Sequence, residues 1–177
     1  SYSITSNKLD QNFQPSDGYI TKFTQTLPIY SEDLTIENSL TVSKYYSVND
    51  SLILSGKLYL KAVNSIDDNT RVSKRVYIPT YRLRGFASGS IGPKDGTQYI
   101  GGNYGSAVTF NTTLPKLFNA NENMDFNLFI DAANLWHVDY DSSLDSNKIR
   151  SATGISVNWY TVVGPLSFSY AIPISDA

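Results

Sequence analysis

Hydrophobic and polar side chains alternate along most of this chain, and a period of two is that of a β-strand rather than of a helix. The clearest segment is residues 51–62. One of its faces carries Leu52, Leu54, Gly56, Leu58 and Leu60. Its other face carries Ser55, Lys57, Tyr59 and Lys61. No helix could hold those leucines on one side, so this segment is predicted to be a strand.

The same alternation predicts further strands on both sides of that segment. They are expected at 1–9, 19–28, 39–48, 103–114, 125–136, 149–160 and 166–174. Turn formers separate several of them, namely Pro15-Ser16-Asp17-Gly18, Asn49-Asp50 and Gly164-Pro165. In the strand 125–136, Asp131 and Phe129 lie on the face opposite Leu128 and Ile130. The pattern therefore predicts an all-β chain of about eight antiparallel strands.

Two features of these strands favour a membrane barrel over an ordinary sandwich. The predicted strands are about ten to twelve residues long, close to the length that crosses a tilted bilayer. Their connections alternate between short and long, as in up-and-down transmembrane β-barrels. Aromatic residues near predicted strand ends could form interfacial girdles: Tyr19, Trp136, Trp159 and Tyr160. A soluble β-sandwich, whose strands also alternate, stays open as the alternative at this point.

Residues 63–101 form the longest segment without this alternation. Long loops inside compact domains are uncommon, and they are usually functional or disordered. Large apolar side chains argue against disorder here: Ile78, Tyr81, Leu83, Phe86 and Ile91. We therefore expect a loop that folds back and packs against the strands.

Composition excludes several other classes of function. The net charge of −2 gives no basic face for nucleic acid, and the absence of cysteine excludes disulfides and thiolate sites. No run of 18 apolar residues predicts a transmembrane helix, which leaves barrel strands possible. We interpret His137, the only histidine, as a strand-end residue, and we expect neither catalytic residues nor a cofactor.

One segment has oxygen-bearing side chains at alternate positions, as a calcium-binding loop does. These residues are Asp139, Asp141, Ser143, Asp145 and Asn147. The glycine and the final glutamate of an EF-hand loop are missing from it. We therefore interpret this segment as a solvated external loop and expect no metal site.

Leu83-Arg84-Gly85-Phe86, followed by Ile91-Gly92-Pro93, resembles the loop motif of the Omp85 superfamily, specifically its BamA branch of outer-membrane assembly factors. Phe129-Ile130-Asp131-Ala132-Ala133 is similar to the family's second motif, Phe-x-Asp-x-Gly. Other stretches resemble the family in the same order, including Pro15-Ser16-Asp17-Gly18, Gly101-Gly102-Asn103 and Gly164-Pro165-Leu166. Each motif alone is weak, whereas the ordered set is specific.

The resemblance implies that residues 1–177 form the C-terminal part of a barrel domain, about eight strands of a 16-stranded barrel. The long loop would fold into the barrel lumen, where Arg84 would meet Asp131. A planar guanidinium matches a carboxylate in charge and geometry, so such a contact would also fix the orientation of the loop. Gly85 would allow close approach to the wall, and Phe86 would anchor the loop. On residues alone, Arg84 could instead be a solvated loop residue.

This chain departs from the family pattern at several positions. Ala133 replaces the glycine of the second motif, and Asn111 stands where a second acidic partner is expected. Tyr77-Ile78-Pro79-Thr80 stands where the family usually has two glycines. We expect a final strand, the N-terminal half of the barrel and the POTRA domains to lie outside residues 1–177.

The function that the resemblance implies is non-enzymatic assembly and insertion of outer-membrane proteins. The expected partners are outer-membrane lipid, unfolded outer-membrane protein clients and accessory assembly lipoproteins that act through POTRA domains. The expected location is a bacterial-type outer membrane. A secretion pore of the same superfamily and a soluble β-sandwich binding module are the alternatives.

Overall fold

The computed structural model describes residues 1–28, 34–66, 69–115 and 123–175. Eight long strands form one antiparallel sheet, and each pairs with the next long strand along the chain. In sheet order they are β1 (Tyr2–Leu9), β2 (Gly18–Thr26), β3 (Thr35–Asn49), β4 (Leu52–Ser65), β7 (Tyr104–Leu114), β8 (Met124–Trp136), β9 (Arg150–Thr161) and β10 (Gly164–Ser175). A small hairpin, β5 (Lys94–Asp95) and β6 (Gln98–Tyr99), lies between β4 and β7. The predicted all-β, up-and-down antiparallel fold is confirmed.

The two faces of the sheet differ as the alternation predicts. The outer face exposes large apolar side chains, among them Phe110 at 63%, Ile130 at 53% and Phe168 at 61% of their surface. The inner face, which the long loop covers, buries mostly small and polar side chains: Ser55, Thr109, Asn127, Asp131, Ala152 and Ser156. No second large sheet covers the outer face within the described residues, so the two-layer sandwich is wrong.

The connections at the two ends of the strands differ in size. At one end they are short, with residues 10–17, 50–51 and 162–163 joining neighbouring strands. At the other end lie the described parts of two long loops, residues 66 and 69–103 of the first and residues 137–149 of the second. Among the described residues, no helix has the length and apolar character needed to cross a membrane. We call the first end the short-turn end and the second the long-loop end.

The predicted boundaries and connections need three corrections. The long loop was predicted to begin at residue 63, but β4 pairs with β3 as far as Ser65. The loop also has secondary structure of its own, a 3-10 turn at Val72–Lys74 and the β5–β6 hairpin. Gly164 and Pro165 do not break the chain, because both pair with β9 and the turn lies at Val162 and Val163.

Other predicted connections fall partly outside the described residues. Between the predicted strands 19–28 and 39–48, residues 29–33 lie outside them, and β3 has already begun at Thr35. Most of the connection predicted at 115–124, and the last two residues of the chain, also lie outside them.

The prediction that Tyr160 belongs to an aromatic girdle is wrong. Its hydroxyl donates a hydrogen bond of 3.2 Å to Asp125 on the inner face. Trp159, its neighbour, is 42% exposed on the outer face. Successive side chains of a strand point to opposite faces, so the two aromatic residues could never share one girdle.

Candidate functional site

The described part of the loop between β4 and β7, residues 66 and 69–103, lies against the inner face of the sheet; we call it the motif loop. Two backbone hydrogen bonds between Val76 and Gly102, of 2.8 and 3.2 Å, close its neck. Its apolar side chains and those of the inner face form one buried cluster: Val63, Val76, Ile78, Leu83, Ile91, Ala107, Ala133 and Leu135. The hydrophobic core of the described residues therefore lies between loop and wall, and burial of this surface holds the loop in place.

Arg84 and Asp131 meet within this packed region. The Nε of Arg84 donates to Oδ2 of Asp131 at 2.7 Å, and its Nη2 donates to Oδ1 at 2.8 Å. The backbone N–H of Arg84 also donates to Oδ2, at 3.1 Å. Asp131 is fully buried, and 17% of the Arg84 side chain is exposed. Three donors from one residue thus satisfy a carboxylate that would be costly to bury alone.

Two other inner-face residues complete the surroundings of Arg84. Its guanidinium carbon lies 3.3 Å from the centroid of the Phe129 ring, which is buried. Its Nη2 donates a weaker hydrogen bond of 3.3 Å to Oδ1 of Asn111. Stacking on an aromatic face and forked pairing with a carboxylate both use the planar shape of arginine, which lysine lacks.

The residues after Arg84 bring the loop tip close to two further strands. Gly85 has a φ of +86°, and a Cβ there would lie 3.1 Å from that of Ala171 on β10 and 3.6 Å from that of Ala152 on β9. Phe86 is partly buried against the core cluster. The backbone conformation and the close contact together favour glycine at this position.

The second part of the motif is also packed against the wall. Ile91 and Pro93 are buried. Gly92 has a φ of +97°, and a Cβ there would lie 2.8 Å from Cβ of Leu135. All eight residues singled out in the sequence, Leu83 to Phe86, Ile91 to Pro93 and Asp131, therefore lie at the contact between the motif loop and the inner face.

A second ion pair, which the sequence did not predict, ties the base of the motif loop to the β8–β9 loop. Nη2 of Arg75 donates to Oδ1 of Asp139 at 2.8 Å, and the Arg75 side chain is fully buried. Oδ2 of Asp139 accepts from the backbone N–H of Thr70 at 2.6 Å and from Nδ2 of Asn103 at 2.8 Å. We call these four residues the stem network.

The stem network also lowers the pKa of Asp139. Partial burial raises the pKa of Asp139, but the hydrogen bonds from Thr70 and Asn103 and the charge of Arg75 outweigh it. The pKa of Asp139 therefore lies below its ordinary value of 3.8. The ionised form is the one that holds the loop base together.

The remaining candidates of the β8–β9 loop have structural roles. His137 follows β8, and its ring stacks on that of Tyr104 with centroids 4.9 Å apart. Asp141 caps a 3-10 turn through the N–H of Ser143 at 2.9 Å, and Asp145 accepts from the N–H of His137. Within the described ranges no group of three or more acidic or histidine side chains is placed to hold a metal ion.

A polar cavity of about 570 Å³ lies on the inner face below the Arg84 contact. Its lining includes Ser55, Lys57, Asn111, Asn127, Ser156 and Asn158 from the sheet. Tyr81 and Arg84 of the motif loop border it on one side. The connection between β1 and β2 borders it on another.

Comparison with known proteins gives matches of three kinds, to a family model, to a curated protein and to a solved structure. A family model described as the Omp85 superfamily domain matches residues 1–177. The outer membrane protein assembly factor BamA of Neorickettsia risticii (strain Illinois) is 25% identical over 182 residues, which cover 97% of this chain and 24% of that protein. The crystal structure of BamA from Haemophilus ducreyi lacking POTRA domains 1-3 matches with a TM-score of 0.88 and 26% identity, over 99% of this chain and 38% of that one. The chain thus spans well under half of either relative.

Proposed function

The chain belongs to the Omp85 superfamily, and from that membership we propose that residues 1–177 are the C-terminal part of the barrel of a BamA-type outer-membrane assembly factor. Members of this type are β-barrel proteins of the bacterial outer membrane, and this chain is one of them. The proposed activity of the whole barrel is to insert and assemble other outer-membrane proteins, without enzymatic chemistry.

The observation that supports this proposal most is the motif loop fastened inside a sheet whose outer face is apolar. The outer face suits lipid, because its large side chains are those that gain from leaving water. Arg84 and Asp131 join the loop to the inner wall at 2.7 and 2.8 Å. In this proposal the contact keeps the loop in the lumen and stabilises the barrel wall from inside.

Insertion of clients follows from the physics of sheet edges. A strand at the edge of a sheet presents unpaired backbone groups, which can pair with an incoming strand. If two weakly paired strands of the barrel separate, the opening exposes such an edge to an unfolded client. A locally thinned bilayer beside the opening would lower the cost of entry. Lipid and unfolded outer-membrane proteins are the proposed partners, and accessory lipoproteins are proposed to act through POTRA domains.

Reconstitution of the full-length protein tests the proposal directly. Vesicles with and without it receive a urea-unfolded outer-membrane protein, and the folding rate is followed by protease resistance. The proposal expects faster client folding with the protein present. Equal rates in both kinds of vesicle would refute the assembly function, even if the barrel itself is folded.

A secretion pore of the same superfamily is the second candidate. The polar lining of the inner cavity, with Lys57, Asn111 and Asn158, favours passage of a polar chain. Export of a passenger protein from vesicles, without insertion of barrel clients, would favour this function.

A further inference from the structure

The connection between β1 and β2, residues 10–17, leaves the edge of the sheet and crosses its inner face; we call it the strap. Nε2 of Gln14 donates to Oδ2 of Asp125 on β8 at 3.2 Å. The Phe13 ring meets the Tyr160 ring of β9 edge-on, with centroids 4.7 Å apart. Neither contact joins neighbouring strands.

The spacing between strands shows how far the strap extends from β2 to reach β8. Between β2 and β8 lie β3, β4 and β7. At about 4.8 Å per spacing, the path along the sheet from β2 to β8 is roughly 19 Å. The strap can contact β8 only by crossing the space in front of the inner face. It lies at the short-turn end, whereas the motif loop enters from the long-loop end.

The contact point on β8 is a buried acid. Asp125 is only 7% exposed, and its Oδ2 accepts from the Tyr160 hydroxyl at 3.2 Å as well as from Gln14. A buried carboxylate needs such donors, because unpaired charge away from water is costly. The strap therefore supplies one of the two side-chain donors that Asp125 has among the described residues.

The strap is also held in shape by its own hydrogen bonds. The Asp10 carboxylate accepts from the backbone N–H of Ser16 at 3.1 Å and from its hydroxyl at 2.6 Å. Nε2 of Gln11 donates to the carbonyl of Gln14 at 2.6 Å. Gln14 has a φ of +47°, a conformation that non-glycine residues adopt only where their surroundings hold them.

The strap forms one side of the polar cavity of about 570 Å³. Gln11, Gln14, Pro15 and Ser16 line that side, while Tyr81 and Arg84 of the motif loop line another. We propose that the strap is a gate, which closes the short-turn mouth of this cavity and is held shut by the contacts of Gln14 with Asp125 and of Phe13 with Tyr160. This gate is independent of whether the barrel assembles or secretes proteins.

Cross-linking in the full-length protein tests the closed position. Residues 1–177 contain no cysteine, so the pair Gln14→Cys with Asp125→Cys would be the only one in this part of the protein. A short bis-maleimide cross-linker, applied in lipid nanodiscs, is expected to join the pair, because the two side chains meet at a hydrogen bond of 3.2 Å. The control pair, Asp50→Cys with Asp125→Cys, starts from the β3–β4 turn at the same end and should stay unjoined. Failure of the first pair to join, or equal joining of both, would overturn the proposal.

Accessibility of the cavity tests the gating itself. A single Ser55→Cys reporter in the full-length protein is labelled with a membrane-impermeant maleimide. Adding Phe13→Ala and Gln14→Ala is expected to raise the labelling rate roughly tenfold, the change that about 1.4 kcal/mol produces. Asp50→Ala, which alters a residue outside the cavity lining, should leave the rate unchanged.

An unchanged labelling rate in the Phe13→Ala, Gln14→Ala protein would show that the strap does not restrict the cavity. Heat-modified gel mobility shows whether that variant has folded as a barrel. If it has not, the cross-linking pair decides the question. Client folding in vesicles is a separate readout, so failure of the gate and failure of the assembly function remain distinguishable.

Discussion

Arg84 on the motif loop and Asp131 on β8, 47 residues apart in the chain, are joined by Nε and Nη2 of the guanidinium and by a backbone N–H. The two side-chain distances, 2.7 and 2.8 Å, are those of charge-assisted hydrogen bonds, and the backbone contact adds a third at 3.1 Å. Surface ion pairs add little stability, but Asp131 is fully buried and Arg84 stacks on Phe129. The pair therefore fixes both the position and the orientation of the loop.

Two glycines of the motif loop give a matched test of its packing. Gly92→Ala should destabilise the barrel, because a Cβ there would lie 2.8 Å from Leu135 and the φ of +97° is strained for alanine. Overpacking and strain of this kind cost about 1–3 kcal/mol. Gly96→Ala, with a φ of +57° and nothing within 4 Å of its Cβ, should cost less. Urea unfolding of the full-length protein in lipid measures both, and an equal loss would disprove the packing at Gly92.

The stem network predicts a dependence of stability on acid pH. The pKa of Asp139 is lower in the folded protein than its ordinary value of 3.8, so folding favours the ionised form. Its contribution is present above about pH 4 and is lost as the pH falls through the lower, folded value. The measurement is the free energy of unfolding of the full-length protein between pH 3 and pH 7.

Asp139→Asn is the variant that isolates this contribution. It should be less stable than the unchanged protein at neutral pH, and the difference should shrink as the pH falls below about 4. Asp50→Asn, in the short turn between β3 and β4, serves as the control for removing one carboxylate. A constant difference across the pH range would argue against ionised Asp139 as the group that holds the loop base.

Adjacent residues of β10 test which face meets lipid. Phe168→Arg places a charge on the outer face, and such changes near the bilayer centre cost about 2–4 kcal/mol. Ser169→Arg places the same charge on the opposite, inner face, where water can reach it. Folding yield and urea stability in vesicles should fall for the first variant and change little for the second. A reversed order would mean that the faces are assigned wrongly.

The alternation of side chains was sufficient to predict the strands and their faces. Leu54 and Ile130 on one side and Asp131 on the other follow directly from a period of two. The same rule could have placed Asp125 on the inner face with Asp131, since six residues separate them. It also forbids Trp159 and Tyr160 from sharing a face, which the girdle interpretation overlooked.

The sequence alone could not predict which residues of different loops contact each other. Arg75 and Asp139 lie in two different loops without periodicity, so nothing local indicates that they pair. Gln14 meets Asp125 only because the strap crosses in front of several strands, a consequence of three-dimensional curvature. Arg84 and Asp131 were paired in advance because their motifs resemble those of a known family, and spacing alone would have left Arg84 as a solvated residue.

A double-mutant cycle on Arg84 and Asp131 in the full-length barrel tests the account most directly. Removal of one partner of a buried pair typically costs about 3–5 kcal/mol, less in a wet lumen, whereas Lys74→Ala in the same loop should cost little. Unfolding free energies of Arg84→Ala, Asp131→Ala and the double variant give the coupling between them. The account predicts a coupling of about 1–3 kcal/mol. Losses that simply add, with no coupling, would contradict the claim that this contact fastens the motif loop inside the barrel.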